Sequence, residues 1–232
     1  MPPMYRVEDK FTCHEHDMVL LQARLKAILP PDKNQVHDNG YKITSVYFDD
    51  LQDTHLQDTE DGTRLREKYR IRIYDDSFET IKLEIKYKKD ARVFKKAKTI
   101  TFSQMKQLLA GECIPDEHPS MDSTITLFNL AISTRGLRPK VIVEYDRAAY
   151  VFDAGNVRIT LDRNLRASTD FEAFMNQNQA HYDSVPEFDR VLEVKYDEFL
   201  PGFIARILET GNMNQTTFSK YRLCREHKGG NQ

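Results

Sequence analysis

Arginine, lysine and glutamate recur at every second position in several short segments, and this spacing is the feature of the sequence most able to do chemistry. The segment YRVEDKF places Arg6, Glu8 and Lys10 on one face of an extended strand, because successive side chains of a strand point to opposite faces. The segment KYRIRIY places Arg70 and Arg72 together in the same way. The alternation therefore predicts strands with charge on one face and apolar residues on the other.

The segments IKLEIKYKK, VRITLDR and LEVKY show the same alternation. Their co-facial charged residues are Lys82, Glu84, Lys86, Arg158, Asp162, Glu193 and Lys195. Over all five segments, eight basic residues stand against four acidic ones. The formal net charge of the whole chain is -2, so the excess of cations on these faces is local.

Two interpretations fit this pattern. An antiparallel sheet with one solvated face would also alternate apolar and charged residues, with Lys–Glu pairs across its strands. The excess of cations favours a polyanion site instead, because like charges on one face repel until an anion neutralises them. The planar fork of Arg suits phosphate oxygens. The carboxylates of Glu8, Glu84 and Glu193 suit a divalent cation, Mg²⁺ or Mn²⁺, that bridges protein and phosphate.

The overall composition narrows the class of protein. The chain has 232 residues, of which 40% are hydrophobic, enough to bury a core. The near-neutral charge argues against a nucleic-acid binder. Cys13, Cys113 and Cys224 are odd in number and far apart, which predicts free thiols in a reducing compartment. No apolar run approaches the roughly 18 residues of a membrane span, so we expect a cytoplasmic protein; contact with a membrane partner and the oligomeric state stay open.

Eight strands are predicted to position the charged residues. Each shows period-2 patterning, and turn-forming residues bound many of them, including the Tyr74–Ser77 segment between the third and fourth strands. The predicted strands are Tyr5–Phe11, Lys42–Asp49, Arg64–Tyr74, Thr80–Lys88, Arg92–Phe102, Lys140–Tyr150, Val157–Asp162 and Val191–Tyr196.

Helices are fewer. Thr12 followed by Glu15 forms a capping box ahead of a helix, whose core-facing residues would be Val19, Leu20, Ala23, Ile28 and Leu29. Other helices are predicted from Ser103 to near Gly111, from about Ser120 to Gly136, and from Pro201 to near Gly211. The stretch Ala167–Ser184 is predicted to be a surface insertion or lid. These elements indicate one α+β domain over residues 1–232 around an antiparallel sheet, with enough strands to close a barrel.

The order of the motifs resembles the triphosphate tunnel fold. The similarity is greatest to the polyphosphate polymerase domain of the vacuolar transporter chaperone family and its bacterial relatives. The matching segments are YRVEDKF, SVYFDD, KYRIRIY, KLEIKYKKD with VFKK, VEYDRAAY, VRITLDRNL, LEVKYDEFLPGFI and FSKYRL. The resemblance implies an antiparallel eight-stranded β-barrel with flanking helices, whose lumen binds ATP or polyphosphate. It also implies an enzyme that transfers the γ-phosphoryl group of ATP onto a growing polyphosphate chain.

The resemblance also implies roles for individual residues. Carried over by motif, the residues of the phosphoryl-transfer site are Lys10, Arg70, Arg72, Lys86, Arg147, Arg158 and Lys220. The residues expected to bind phosphate beside them are Lys95, Tyr145, Lys195 and Ser219 by motif, and Arg6 and Lys82 from the alternation alone. Glu193 matches the metal-binding glutamate, and we add Glu8 and Glu84 as further candidate ligands of Mg²⁺ or Mn²⁺.

Other readings stay open. Glu8 completes an E-x-K element that looks more like the triphosphatases of the same fold, so hydrolysis competes with polymerisation. A non-catalytic sensor of polyphosphate or nucleotide, serving a membrane partner, is the alternative outside enzymes. The SVYFDD segment fits either a structural strand end or a metal-binding pair. The Cys13-His14-x-His16 group matches known ligand spacings poorly and is not expected to be a metal site. The His181/Asp183 pair lies in the predicted insertion, where a polar pair is more often solvated than catalytic.

Overall fold

One antiparallel sheet carries all of the alternating segments. The computed structural model describes residues 6–35, 37, 40–90, 92–176, 180–185, 190–211 and 213–229; Tyr5, the first residue of the first predicted strand, lies outside them. Its strands are β1 (Val7–Thr12), β2 (Tyr41–Asp49), β3 (Leu65–Tyr74), β4 (Ser77–Lys89), β5 (Arg92–Ile100), β6 (Arg138–Phe152), β7 (Val157–Ser168), β8 (Asp183–Ser184), β9 (Val191–Tyr196) and β10 (Asn214–Gln215). The eight predicted strands are present with shifted ends, and β8 and β10 are short additions.

The sheet curves back towards itself. Its strand order is β10-β1-β9-β7-β6-β2-β3-β4-β5, with β8 paired to β7. An isolated bridge between Arg6 and Val93 links the start of β1 to β5. The predicted α+β class is confirmed. The eight long strands do not form a continuously hydrogen-bonded barrel, because Arg6 and Val93 are the one described residue pair that joins β5 to the β1 end of the sheet.

The β3–β4 hairpin turns as its sequence predicts. Tyr74 pairs with Ser77, and the two intervening residues, Asp75 and Asp76, have φ angles of 50° and 56°. Two successive positive φ angles match the twist of a two-residue hairpin, and Asp tolerates them better than most residues. The tight turn fixes which residues of β3 and β4 stand opposite each other.

Most of the described helices cover the outward face of the sheet. They are α1 (Glu15–Ile28), α2 (Thr54–Glu60), α3 (Phe102–Leu109), α4 (Thr124–Arg135), α5 (Phe171–Met175), α6 (Gly202–Leu208) and α7 (Lys220–Gly229). Ile71 and Leu83 of the sheet share one core cluster with Met105 of α3 and Phe128 of α4. A second cluster packs Leu21 of α1 and Ile204 of α6 on β6, β7 and β9. Because these apolar side chains are buried between the sheet and the helices, the charged side chains that alternate with them face inward. Among the described residues, no helix has the length and apolar character needed to cross a bilayer.

The last helix packs on the inward side instead. Tyr221 and Cys224 of α7 are buried with Val141, Val143 and Leu165, which share the inward face of β6 and β7 by their pairing register. Helix α7, which the sequence did not predict, therefore fills part of the space enclosed by the sheet.

Three local predictions were wrong. Thr12 ends β1, and His14 is the N-cap of α1 without a side-chain capping bond; Met18, Leu21 and Leu25 face the core, while Val19, Leu20 and Ile28 are exposed. Strand β1 continues through the presumed cap because its residues pair with β9. The cap of α3 is not Ser103 but Thr101, which forms a capping box with Gln104.

The stretch Ala167–Ser184 is not a separate insertion where it is described. Its first residues extend β7, Phe174 of α5 joins the core, and Asp183 and Ser184 pair with β7 as β8. Residues 177–179 lie outside the described part. Polar composition hid these contacts, because one buried aromatic ring is enough to attach a short helix.

Candidate anion-binding cavity

The inward face of the sheet encloses a cavity of about 720 Å³, which we call the main cavity. Its charged lining is dominated by cations. The basic residues are Lys10, Arg66, Lys68, Arg70, Arg72, Lys86, Lys88, Arg147, Lys195 and Lys220, and the acidic ones are Glu8, Asp9 and Glu193. Such an excess of positive charge in a concave site attracts anions of high charge density.

The β3–β4 hairpin contributes most of this charge. Arg70 stands opposite Glu84, but the pairs Arg72–Lys82, Lys68–Lys86 and Arg66–Lys88 set like charges directly opposite each other. Like charges in such positions destabilise a sheet. The hairpin therefore holds more positive charge than its own folding requires.

Asp162 is the centre of a buried ion-pair cluster. Its carboxylate accepts two hydrogen bonds from Arg147, at 2.6 and 2.7 Å, and one from Lys220 at 2.6 Å. It is fully buried; burial alone would raise its pKa, but Arg147 and Lys220 lower it. Asp162 thus stays ionised and fixes two cations, one on β6 and one on α7, at the wall of the main cavity.

Glu84 plays the same part for the hairpin. It accepts a hydrogen bond from Arg70 Nε and another from Lys95 Nζ, both at 2.7 Å. Arg70 also donates to the hydroxyl of Tyr47 at 3.0 Å. Glu84 is buried behind these cations and does not line the main cavity, so its contacts are those of a structural counter-ion.

Arg72 has neutral partners. Its guanidinium donates to Ser45 Oγ at 3.1 Å and to the hydroxyl of Tyr145 at 3.4 Å. It is 8% exposed, and among the described residues it makes no ion pair. No described carboxylate lies within ion-pair distance of this nearly buried cation, so a bound anion would add a direct partner that the fold does not supply.

Glu8 and Glu193 are the carboxylates that reach the main cavity together. Lys10 Nζ lies 3.0 Å from Glu8 and 3.7 Å from Glu193, and Lys195 Nζ lies 3.3 Å from Glu8 and 2.7 Å from Glu193. Burial would raise the pKa of Glu8, but Lys86, Lys195 and Lys10 lower it. Two ionised carboxylates beside a phosphate site form the oxygen donor set that Mg²⁺ or Mn²⁺ takes together with phosphate oxygens. Within the described residues no group of three or more His, Cys, Asp or Glu forms a metal cluster.

Lys68 is a residue of the cavity that the sequence analysis missed. Its Nζ donates to Ser219 Oγ at 2.8 Å and lies 5.2 Å from the centre of the Tyr221 ring. Burial lowers the pKa of Lys68 well below its usual value, and the nearby Lys86 and Lys10 lower it further. The alternation of cations along β3 begins at Arg66 and continues through Lys68 to Arg70 and Arg72. The sequence analysis applied the period-2 rule only to Arg70 and Arg72, and therefore left out Arg66 and Lys68.

The SVYFDD segment proves structural. Asp49 accepts hydrogen bonds from the backbone N–H groups of His55 and Leu56, both at 3.0 Å, and from the hydroxyl of Tyr221 at 2.5 Å. Nδ1 of His55 lies 2.9 Å from Oδ1 of Asp49, and this carboxylate helps to raise the pKa of His55 to about 9 against the effect of burial. Asp49 therefore joins β2, α2 and α7 beside the main cavity.

The predicted site residues divide by position. Those that line the main cavity are Lys10, Arg70, Arg72, Lys86, Arg147, Lys220, Tyr145, Lys195, Ser219, Glu193 and Glu8. Those that the structure does not bring to its lining are Arg6, Lys82, Lys95, Arg158 and Glu84.

Each of the three remaining cations outside the lining has its own partner. Arg6 Nε lies 3.1 Å from Asp197, and Lys82 donates to Thr99 Oγ1 at 2.7 Å. Arg158 lies 3.3 Å from Asp32 and donates to the Tyr41 hydroxyl at 3.2 Å. Each of these three cations lies on the predicted face of its strand, but at a position along the strand that is outside the lining of the main cavity.

The sequence matches the VTC domain over residues 5–227. The chain belongs to the VTC domain family. No curated protein matches the sequence.

Solved structures share the fold of this VTC domain. A candidate adenylate cyclase from Bacillus halodurans superposes with a TM-score of 0.58 at 15% identity, over 94% of this chain and 96% of that chain. A protein from Pyrococcus horikoshii superposes with a TM-score of 0.50 at 16% identity, over 96% of this chain and 99% of that one. At such low identities these superpositions show only that the fold is shared. In this chain, the surface of the fold that carries the excess positive charge is the inward face.

Proposed function

We propose that this VTC domain binds the phosphate chain of ATP in the main cavity and polymerises its γ-phosphate into inorganic polyphosphate. The observation that supports the proposal is the ring of cations around a 720 Å³ cavity in a chain of the VTC family. Phosphoryl transfer needs positioning and charge stabilisation more than covalent chemistry. An inward face rich in Arg and Lys suits that requirement.

In the proposed reaction, a terminal oxygen of the acceptor chain attacks the γ-phosphorus of ATP. The bond from that phosphorus to the β,γ-bridging oxygen breaks, and ADP leaves. In this proposal Arg72, Lys220 and Lys86 hold the phosphate oxygens and stabilise the charge that spreads over them during transfer. Glu193 and Glu8 would hold Mg²⁺ or Mn²⁺, which supplies further positive charge at the phosphates.

The second candidate function is that of a tunnel triphosphatase. Glu8 lines the main cavity together with Glu193, and Lys195 lies within 3.3 Å of both carboxylates. A second carboxylate suits a second metal position, and water would then replace the phosphate chain as acceptor. The residues that hold ATP would be the same in both reactions.

Incubation of the full chain with ATP and Mn²⁺ tests the proposal. The expected products are ADP and long polyphosphate chains visible on a polyacrylamide gel. Free phosphate without chains would assign the chain to the triphosphatases. Tight binding of tripolyphosphate without turnover under Mg²⁺ or Mn²⁺ would indicate a sensor, and the absence of tripolyphosphate binding would overturn every phosphate-chain function.

A further inference from the structure

A serine hydroxyl and a lysine amine meet inside the main cavity. Ser219 and Lys68 both line it, and Nζ of Lys68 lies 2.8 Å from Oγ of Ser219. The two residues are 151 positions apart in the sequence, so the contact depends on the packing of α7 into the space enclosed by the sheet. A serine beside an amine can act as a nucleophile when the amine takes the hydroxyl proton.

The surroundings of Lys68 favour its neutral amine. Burial is the largest influence on its pKa, and the next four are the positive charges of Lys86, Lys10, Arg66 and Arg70. All five lower the pKa, to well below the usual value, because a further positive charge in this place is unfavourable. A buried lysine that gives up its proton in this way is suited to act as a general base.

The backbone of α7 orients the hydroxyl of Ser219. The backbone N–H of Arg222 donates to Oγ of Ser219 at 3.3 Å. When Lys68 is neutral, the hydroxyl can donate its proton to Nζ, and Oγ keeps a lone pair for attack on phosphorus. Ser219 stands directly before α7, so a phosphate group on its Oγ would lie at the positive end of the helix dipole, which stabilises negative charge.

Two other hydroxyl groups of the main cavity have partners that cannot take a proton. The hydroxyl of Tyr47 receives a hydrogen bond from Arg70 at 3.0 Å, and that of Tyr145 receives one from Arg72 at 3.4 Å. A guanidinium is not deprotonated in proteins and has no acceptor atom. Ser219 differs from both tyrosines because its partner is an amine.

We propose that Ser219 is an autophosphorylation site, at which ATP in the main cavity phosphorylates the serine of the same chain when no acceptor chain is present. Oγ of Ser219 attacks the γ-phosphorus, the bond from that phosphorus to the β,γ-bridging oxygen breaks, and ADP leaves. Nζ of Lys68 takes the hydroxyl proton. The proposal rests on the proposed function, since it requires the phosphates of ATP to lie in the main cavity, and it adds an acceptor that belongs to the protein itself.

The phosphoserine would change the cavity in which it forms. It carries a charge of about −1.5 to −2 near neutral pH, and this charge would neutralise cations that otherwise hold an incoming phosphate chain. The phosphorylated chain, once separated from nucleotide, should therefore bind tripolyphosphate about tenfold more weakly than the unphosphorylated chain. Calorimetric titration of the two forms gives the ratio, and equal affinities would contradict a phosphate group inside the main cavity.

The mass of the intact chain after incubation with ATP and Mn²⁺, without polyphosphate, tests the site. We expect the gain of one phosphoryl group, located on Ser219 by fragmentation of its peptide. Ser219→Ala should abolish the gain, whereas Ser219→Thr, which keeps a hydroxyl, should retain part of it. Lys68→Met should slow the reaction about 100-fold or more. The rate of the unchanged chain should rise from neutral to mildly alkaline pH as more of Lys68 becomes neutral, and Lys68→Met should lose this rise.

The matched control is Ser103→Ala, which removes a hydroxyl from an exposed position of α3 outside the main cavity and should leave the rate unchanged. Unlabelled unchanged chain, mixed with an isotope-labelled Lys68→Met chain, should not phosphorylate the labelled one, because the reaction takes place within one chain. Phosphorylation of the labelled chain would overturn this part of the proposal and indicate transfer between chains or a contaminating kinase.

Other outcomes separate this proposal from the proposed function. An unmodified Ser219 in a chain that turns over ATP, a phosphoryl group on another residue instead, or an equal rate in Lys68→Met would overturn the autophosphorylation site while leaving the proposed function intact. If the unchanged chain binds neither ATP nor tripolyphosphate, the proposed function fails and the autophosphorylation site fails with it.

Discussion

Two sets of cations share the inward face of the sheet and differ in how their charge is balanced. Arg70, Arg147 and Lys220, the paired set, contact the buried carboxylates Glu84 and Asp162 at 2.6 to 2.7 Å. Arg66, Lys68, Arg72 and Lys88, the unpaired set, make no ion pair within the described residues. Each paired cation is held by the fold itself, whereas the unpaired cations repel one another until an anion arrives. The comparison separates cations whose charge a buried carboxylate of the fold already balances from cations whose charge the fold leaves unbalanced.

The largest expected effect comes from breaking the paired set. Asp162→Asn leaves Arg147 and Lys220 buried without a counter-ion, so we expect the free energy of unfolding to fall by about 3–5 kcal/mol. Urea denaturation measures the change. The control Glu226→Gln removes an exposed i,i+4 partner of Arg222 and should cost below about 1 kcal/mol; equal effects of the two variants would erase the distinction.

Removal of an unpaired cation should act on the ligand and not on the fold. Arg72→Met keeps the aliphatic stem but removes the charge, and we expect turnover of ATP to fall about 100-fold or more. The free energy of unfolding should change by less than about 1 kcal/mol, because repulsion from Arg70 disappears together with two neutral hydrogen bonds. Steady-state kinetics and urea denaturation give the two numbers. A loss of stability as large as that of Asp162→Asn would place Arg72 in the paired set.

Glu84→Gln converts one set into the other. Arg70 and Lys95 would lose their carboxylate, so we expect the free energy of unfolding to fall by about 1–3 kcal/mol. Tripolyphosphate should then bind several-fold tighter, because the charge of Arg70 in the main cavity becomes available to it. The concentration of Mn²⁺ that gives half-maximal turnover should stay the same. A marked rise in that concentration would instead support the predicted role of Glu84 as a metal ligand.

The smallest effect concerns the protons of the unpaired set. Because burial and neighbouring cations lower the pKa of Lys68 in the free protein, an anion that compensates these cations should raise it and drive proton uptake on binding. Titration calorimetry of tripolyphosphate at mildly alkaline pH, in two buffers of different ionisation enthalpy, should give different heats. Lys68→Met should reduce the difference, and identical heats for the unchanged chain would contradict the prediction.

The same shift also gives the sign of the contribution that Lys68 makes to the pH dependence of stability without ligand. Below the folded-state pKa of Lys68, both the folded and the unfolded chain carry its proton. Between that pKa and the usual value of 10.5, the unfolded chain binds more protons, so the free energy of unfolding rises with pH. Lys68 contributes at most about 1.4 kcal/mol per pH unit to the slope, and the difference between the unchanged chain and Lys68→Met in denaturation at several pH values measures this contribution.

The local sequence pattern predicted most of the strands and which charged residues share a face. It did not predict which of the cations in the cavity are neutralised. The strands were found because alternation needs no distant partner, as Arg70 and Arg72 against Ile71 and Ile73 illustrate. Helix α7 was missed because its buried residues, Tyr221 and Cys224, are few and its surface is strongly charged. Its attachment depends on contacts with β6 and β7, which no local pattern contains.

The sequence by itself determined which charged residues share a face, because the alternation of side chains is a property of the extended chain. The tertiary structure decided which cations are neutralised. Asp162 meets Lys220 across 58 positions of the sequence, and Arg158, four residues from Asp162, instead lies beside Asp32. Register and curvature set these meetings, since they fix how far along the cavity each side chain lies. Arg66 and Lys88 were thereby left opposite each other, without an ion-pair partner among the described residues.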